Sequence, residues 1–193
     1  MALDTRLVEL LGALKTTVRT GWMLKGVPPA MGESVAEHSF ESAVLTLIIA
    51  LEARKAGLNV SVYRSAAIAL VHDLAEELTG DIPRGLHNYV KSKERVELKL
   101  AKDYLGSSDL LSLLEEYYEG RSLESKLARI GDLLSTYIHA KRLEEGGFTR
   151  VRAIRHAVKE EITRYTREEV PELQSYLEEL MRRLDGESVS TRV

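Results

Sequence analysis

The chain has 193 residues, of which 44% are hydrophobic and 30% are charged; this composition excludes a disordered or fibrous protein and predicts one globular domain with a sizeable core. Its 27 basic and 30 acidic residues leave a net charge of −3, so we expect no nucleic-acid polymer as a partner. The sequence contains no cysteine, which excludes disulfides and sulfur-ligated metal sites and leaves histidine and carboxylates as the strong metal ligands.

Hydrophobic residues recur at helical spacing along almost the whole chain, and glycine, asparagine or proline separates the segments. The predicted helices, in chain order, cover about residues 4–18, 34–55, 62–74, 92–105, 108–118, 123–144, 149–164 and 167–184. An irregular segment is expected at 21–32 and a loop at 79–85, and we find no alternating strand pattern of useful length. We therefore predict an all-α fold, a compact bundle of about seven to nine helices in one domain over residues 1–185, followed by a flexible tail over 186–193.

We expect neither a membrane span nor a signal peptide in this sequence. The longest uninterrupted apolar stretches, such as residues 43–51, are well short of a membrane span. Asp4, Arg6 and Glu9 give the N-terminus a charge pattern unlike that of a signal peptide. We expect a cytoplasmic location and no membrane partner.

Three segments place histidine or aspartate on predicted helices that are otherwise rich in small and apolar residues. His38 follows a predicted capping box at 34–37, His72 and Asp73 lie near the end of the third helix, and Asp132 lies within the sixth. Burying imidazoles and carboxylates costs free energy unless something compensates for their lost solvation, and a bound divalent cation would do so. Two imidazoles and two carboxylates leave about two positions of an octahedron for water or substrate, which is typical of a catalytic metal site.

The order of these residues and their flanking sequences resemble the HD-domain metal-dependent phosphohydrolases. Residues 33–38 (ESVAEH) and 72–83 (HDLAEELTGDIP) are similar to the 5′-deoxynucleotidase branch of that family, and the resemblance extends over about residues 7–140. It implies an HD-domain fold and a phosphoric monoester hydrolase. Its substrates would be small molecules, nucleoside 5′-monophosphates and above all deoxyribonucleotides.

The resemblance also implies roles for individual residues. Four side chains would hold one divalent cation per chain (Mn, Co, Fe, Ni, Mg or Zn): His38, His72, Asp73 and Asp132. Glu76 corresponds to the catalytic carboxylate that orients or deprotonates the attacking water. Because it lies four residues after His72 and three after Asp73, we expect these three side chains on one helix face.

The substrate would be held by residues on either side of the first histidine. Asp81 would contribute to catalysis by positioning the nucleotide and its sugar. Arg19 would bind the phosphate, for which its planar charged fork is suited, and Trp22 would select the sugar. Lys25 is a candidate second cation for the phosphate.

Other interpretations stay open at this point. Asp132 could be a buried acid paired with Arg129, and Trp22 could be a core anchor. The chain could be an HD-domain nucleotide-binding or regulatory protein without turnover. It could also be a phosphodiesterase of a signalling nucleotide, which would need further histidine ligands for a second metal, and only His87 is available for that purpose.

A homodimer is the quaternary structure that the resemblance implies. The predicted helix at 108–118 is more apolar than one core face requires, so it is the candidate interface. The last two helices could instead cover that surface within the chain.

Overall fold

The computed structural model describes residues 5–81, 93–105 and 108–186, and every regular segment in those residues is helical apart from an isolated antiparallel bridge between Val18 and Ser34. The α-helices are α1 (Thr5–Leu14), α2 (Thr20–Met23), α3 (Val35–Lys55), α4 (Val62–Val71), α5 (Glu76–Thr79), α6 (Lys93–Leu105), α7 (Asp109–Glu119), α8 (Leu123–Glu145), α9 (Arg152–Glu169) and α10 (Gln174–Leu184). Single 3₁₀ turns lie at Pro29–Met31, Thr149–Val151 and Pro171–Leu173. The all-α prediction is confirmed, and the single-turn helices α2 and α5 are additional to the eight predicted ones.

The centre of the bundle is α8, which packs against α3, α4 and α9. Its fully buried side chains include Leu127, Ile130, Leu133 and Tyr137, which join residues of α3, α9 and α10 in the largest hydrophobic cluster. Burial of this much apolar surface is the main force that stabilises such a bundle. The predicted ligand Asp132 therefore lies on a helix that is buried at the centre of the core.

Helices α3 and α8 approach each other closely at Gly131. A Cβ atom at this position would lie 2.0 Å from the Thr46 hydroxyl oxygen and 2.8 Å from the Ser42 carbonyl oxygen, so no side chain fits there. The same face of α3 buries small polar residues where a large apolar residue would be usual. The close approach brings the N-terminal half of α3, with His38, beside Asp132.

Helix α1 ends at Leu14, not at residue 18 as predicted. The amide and hydroxyl groups of Thr16 and Thr17 both bond to the Ala13 carbonyl, which closes the helix, and Val18 then pairs with Ser34. Side chains of threonine compete with the helical hydrogen bonds in this way. The extended segment that follows carries Arg19 to the N-terminal end of α3.

Helix α4 ends at Val71, so His72 and Asp73 lie in the turn that follows and not within the helix. The His72 ring donates from Nδ1 to the Ala69 carbonyl at 2.7 Å, the carbonyl that the Asp73 amide would use in a continued helix. The amides of Leu74 and Glu76 instead bond three residues back, to Val71 and Asp73. The predicted helix limit of 74 is wrong for this reason.

Two other boundaries differ from the predictions. Helix α9 continues to Glu169 because the break comes at Pro171, which lacks an amide proton, and not at residues 164–167. Part of the segment predicted to be irregular forms α2. The predicted start of α6 at residue 92, most of the loop at 79–85 and nearly all of the tail at 186–193 lie outside the described residues, and the domain limits stay a prediction.

Helix α7 is covered within the chain. Leu111 and Leu114 are buried with Ala101 of α6, while Leu110 and Leu113 pack on the cluster formed by α1, α3 and α4. The apolar residues of α7 are therefore part of the core. The helices that cover them are α1, α3, α4 and α6, and not α9 and α10, the alternative raised from the sequence.

Within the described part of the chain, no helix combines the length and hydropathy that a membrane crossing requires.

Candidate metal centre

Three predicted ligands from two parts of the fold meet at one place. Ligand atoms of His38, His72 and Asp73 all lie within 4.8 Å of one another. Both imidazoles are buried, and the Asp73 carboxylate is largely so, with its Oδ2 3.1 Å from His72 Nε2 and 3.7 Å from His38 Nε2. This nitrogen and oxygen donor set suits a divalent transition metal or magnesium.

The fourth predicted ligand adjoins this group. Asp132 on α8 is buried, and its Oδ1 lies 3.2 Å from His38 Nε2 and 3.9 Å from His72 Nε2. Asp132 is also a buried acid paired with Arg129, as the alternative interpretation expected, because Arg129 donates from Nη1 to its other oxygen, Oδ2, at 3.2 Å. Asp132 thus presents Oδ1 to the two imidazoles and Oδ2 to Arg129.

Buried atoms that lack hydrogen-bond partners support a cation at this point. His72 Nε2 and Asp73 Oδ2 lie 3.1 Å apart, but neither makes a hydrogen bond of acceptable geometry to a described residue, which costs free energy for buried polar atoms. Since His72 Nδ1 donates to the Ala69 carbonyl, the lone pair of a neutral ring lies on Nε2 and faces the group. The residues therefore fit a divalent cation.

The two imidazoles have opposite shifts in pKa. Burial, together with the nearby Arg19 guanidinium, lowers the pKa of His38 to about 4, so this ring is neutral at pH 7. Burial also opposes charge on His72, but the Asp73 and Asp132 carboxylates outweigh it and raise the pKa of His72 to about 9. The same attraction holds the pKa of Asp73 well below its usual range although burial raises it.

Metal binding should therefore release about one proton per chain at pH 7, because a cation displaces the proton that His72 carries in the metal-free protein. Because the pKa of His72 is raised to about 9, protons compete with the metal for this ring below pH 9. The apparent association constant for the metal should therefore rise about tenfold per pH unit from pH 6 to 8. Titration calorimetry with Mn²⁺ in buffers of different ionisation enthalpy measures the release. His156→Gln, an exposed change on α9, serves as the control, and a release of zero at pH 7 would contradict the prediction.

Glu76 begins the short helix α5 and is buried. The turn between α4 and α5 advances with hydrogen bonds three residues apart, as in a 3₁₀ helix, where residues i and i+3 lie above one another. This places Asp73 and Glu76 on one side of the turn. The predicted shared α-helical face with His72 is wrong, because the α-helix ends before His72.

Arg19 lies against the metal-binding group. Its Nη1 contacts His38 Nδ1 at 2.7 Å and donates to Thr136 Oγ1 at 3.3 Å and to Glu33 Oε1 at 3.4 Å. Burial lowers the pKa of the guanidinium, but the carboxylates of Glu33 and Asp73 outweigh it, so the pKa is raised and the charge is permanent. A partly exposed cationic fork next to a metal site is suited to binding phosphate oxygens.

Glu33 is a buried site residue that sequence reasoning missed. Its Oε1 accepts hydrogen bonds from Trp22 Nε1 at 3.1 Å and from Arg19, and burial raises its pKa to about 7 although those two partners lower it. Two signals were available: Glu33 begins the string 33–38 that resembles the family, and it directly precedes the Ser34 capping box, which the structure confirms. Glu33 connects the two residues predicted to bind phosphate and sugar.

Trp22 and Asp81 both hold the Arg19 segment. The Trp22 indole is buried in a cluster with Val27 and Leu143, as expected of a core anchor, and its predicted contact with the sugar stays a prediction. The Asp81 carboxylate accepts a hydrogen bond from the Thr20 amide at the start of α2. The residues after α5 are thereby tied to the residue next to Arg19.

The HD domain is the family whose model matches this chain, over residues 11–174. The chain belongs to the HD-domain family. This HD-domain chain is 32% identical to 5′-deoxynucleotidase HDDC2 of Danio rerio over 144 residues, which are 72% of this chain and 68% of that protein. The resemblance stated from the motifs is therefore confirmed.

Two solved structures share this HD-domain architecture. One is the PH0347 protein from Pyrococcus horikoshii OT3, with 32% identity, a TM-score of 0.80, and coverage of 96% of this chain and 100% of that one. The other is a conserved hypothetical protein from Pyrococcus furiosus, with 37% identity, a TM-score of 0.73, and coverage of 89% and 99%. The fold described above is thus that of experimentally determined relatives.

Proposed function

We propose that this HD-domain protein is a metal-dependent phosphohydrolase that removes the phosphate from nucleoside 5′-monophosphates, above all deoxyribonucleotides. The observation that carries the proposal is the convergence of two imidazoles and two carboxylates on one point, with the Arg19 guanidinium against the same group. Similarity to curated 5′-deoxynucleotidases over most of the chain agrees with it. We assign the substrate as a small molecule and the location as cytoplasmic.

The ligands in this proposal are His38, His72, Asp73 and Asp132, which would hold one divalent cation. When bound, such an ion supplies positive charge to phosphoryl oxygens and acidifies water. Hydrolysis of a phosphate monoester is among the slowest uncatalysed reactions, so this chemistry requires a strongly stabilising site. Because the residues that would hold the ion are buried away from bulk solvent, charge interactions at this site would be stronger than in water.

Glu76 accepts the proton of the attacking water or fixes its orientation. Its position one 3₁₀ turn after Asp73 ties the distance between base and ligand to a short, hydrogen-bonded segment. Such fixed geometry is what converts a slow bimolecular step into a fast one. A carboxylate in this role contributes roughly 10²- to 10⁴-fold to the rate.

Arg19 binds the phosphate. Among the described residues, its hydrogen bonds to Glu33 and Thr136 and its contact with His38 all use Nη1, so Nε and Nη2 can donate to two phosphate oxygens as a planar fork. Glu33 holds the guanidinium from the side of Trp22, and Asp81 holds the adjacent amide of Thr20. The other Asp81 oxygen would position the nucleotide and its sugar.

The test is a phosphate-release assay on the full chain with deoxyribo- and ribonucleoside 5′-monophosphates and with Mn²⁺, Co²⁺ or Mg²⁺ in turn. We expect metal-dependent release, faster with deoxyribonucleotides. No release from any nucleotide with any metal would refute the function, and nucleotide binding without release would indicate the regulatory alternative. Two metal ions per chain, with diester cleavage, would indicate the phosphodiesterase.

We further propose a homodimer formed through α3. Four apolar residues spaced four, four and three positions apart lie exposed along one face of this helix: Phe40, Val44, Ile48 and Leu51. Glu37 and Lys55 lie at opposite ends of the stripe. If two copies cross antiparallel about a twofold axis, the stripe meets itself and each Glu37 faces a Lys55, so the surface is self-complementary.

Ile48→Asp should convert the dimer to a monomer, because it places two carboxylates in an apolar interface close to the twofold axis. Light scattering after size-exclusion chromatography measures the mass. Val96→Asp, which changes an exposed apolar residue on α6, should leave the dimer intact. A wild-type chain that is monomeric at all concentrations would contradict the proposal.

A further inference from the structure

Tyr117 on α7 contacts two of the proposed metal ligands, which come from different parts of the fold. Its hydroxyl donates to Asp132 Oδ2 at 2.9 Å, and its ring lies 5.0 Å from the His72 ring, centroid to centroid. Tyr117 belongs to the partly buried residues packed on Ile68 of α4 and Ala128 of α8. A single side chain thus contacts the turn after α4 and the buried aspartate of α8.

Arg129 completes the arrangement from α8 itself. Its Nη1 donates to the Tyr117 hydroxyl oxygen at 3.2 Å and to Asp132 Oδ2 at 3.2 Å, and its Nη2 donates to Glu161 on α9 at 3.3 Å. Oδ2 of Asp132 therefore accepts from two donors, one of them charged. The other oxygen, Oδ1, is the one that lies near both imidazoles.

We propose that Tyr117 and Arg129 are positioning residues that restrict Asp132 to ligation through a single oxygen. This inference rests on the proposed metal-binding role of Asp132. A carboxylate can bind a cation with one oxygen or with two. Because both donors point at Oδ2, rotation of the carboxylate toward a two-oxygen arrangement would break two hydrogen bonds, one of them charge-assisted.

Single-oxygen ligation has a consequence for the reaction. Two imidazoles and two carboxylates that each give one atom fill four positions of an octahedron, and two positions stay open for water and phosphate. A second oxygen from Asp132 would occupy one of them. Tyr117 and Arg129 therefore keep open a position that the substrate or the attacking water needs.

The ring contact adds a second restraint. The His72 ring is held at Nδ1 by the Ala69 carbonyl and packs against the tilted ring of Tyr117, so both contacts favour the orientation in which Nε2 faces the group. Groups that hydrogen-bond to metal ligands, as the Ala69 carbonyl does to His72, typically contribute 10- to 100-fold to metal affinity. Phenylalanine at 117 keeps the ring contact and removes the hydroxyl donor alone, so Tyr117→Phe tests the restraint on Asp132 separately.

The test compares Tyr117→Phe with the wild-type chain by Mn²⁺ titration calorimetry and by the visible absorption of bound Co²⁺, which reports coordination number. We expect Mn²⁺ affinity to fall about 10-fold or more, the Co²⁺ spectrum to shift and kcat to fall further than KM changes. Tyr137→Phe is the matched control, since Tyr137 lies on α8, as Asp132 does, but its hydroxyl donates to Asp185, which follows α10, and not to a residue of the centre. It removes the same kind of bond without touching the centre.

Wild-type affinity and an unchanged Co²⁺ spectrum in Tyr117→Phe would overturn the inference. If Tyr117→Phe does not fold, Arg129→Gln carries the same readouts and the same outcomes. The result is separable from the proposed function, because both readouts need metal binding and not turnover: a wild-type chain that binds Mn²⁺ but hydrolyses no nucleotide refutes the function alone. A wild-type chain that binds neither metal refutes both.

Discussion

Glu76→Gln should abolish most of the phosphohydrolase activity and leave metal binding intact. The substitution keeps the size and polarity of the side chain but removes the carboxylate that accepts a proton, so kcat should fall by roughly 10²- to 10⁴-fold. KM for the nucleotide should change little, because Glu76 is assigned to the water and not to the phosphate. Steady-state phosphate release and Mn²⁺ calorimetry measure the two properties.

The control for this variant is Glu115→Gln, which makes the same chemical change at an exposed position on α7. It should have wild-type kcat. If Glu76→Gln were fully active, the water-activating group would have to be sought elsewhere in the centre. If it lost the metal as well, Glu76 would be a ligand.

Asp73→Asn should remove both metal binding and activity. The amide is a far weaker ligand than the carboxylate that lies 3.1 Å from His72 Nε2, and affinity for Mn²⁺ should fall by at least about 100-fold. Binding to the native state alone raises stability, by about 2.7 kcal/mol when the free metal is at 100 times its Kd. The wild-type melting temperature should therefore rise with added Mn²⁺, and that of the variant should not.

Metal-free Asp73→Asn should still fold, because losing this carboxylate removes the largest attraction that raises the pKa of His72, and a neutral imidazole leaves no unpaired buried charge. Circular dichroism checks this point. Asp103→Asn, at an exposed position on α6, should keep the thermal shift and the activity. A normal Mn²⁺-dependent shift in Asp73→Asn would mean that the cation binds at another place.

The elements that carry the centre were largely predictable, because local rules determine them. Capping at Ser34, confirmed with both of its hydrogen bonds, locates the start of α3 and hence His38. The apolar periodicity of α8 locates Asp132 on a buried helix. The pairing of Asp132 with Arg129 also follows from sequence, since residues three apart on a helix are neighbours.

Other features depend on contacts between distant segments, which local patterns do not reveal. Glu33 is part of the site only because Arg19 and Trp22 fold back onto it after the bridge at Val18. Helical spacing places Tyr117 among the apolar residues of the predicted helix at 108–118, but its hydroxyl contact with Asp132 depends on how α7 lies against α8.

The early end of α4 shows a different limit. Helical periodicity continues through Leu74, and Leu74 is indeed buried, so the pattern gives no warning. The helix ends because the His72 ring takes the Ala69 carbonyl, a competition between side chain and backbone that periodicity does not represent. The hydrogen bond made by the His72 side chain thus determines where the backbone leaves the α-helix.

The glycine at the crossing of α3 and α8 limits how this centre can be transplanted. His38 and Asp132 meet because two helix backbones touch where position 131 has no side chain. Copying the four ligands onto a scaffold with ordinary interhelical spacing, about 8–10 Å, would leave the imidazole and the carboxylate too far apart to share an ion. A designer would have to import the contact between the backbones first and the ligands second.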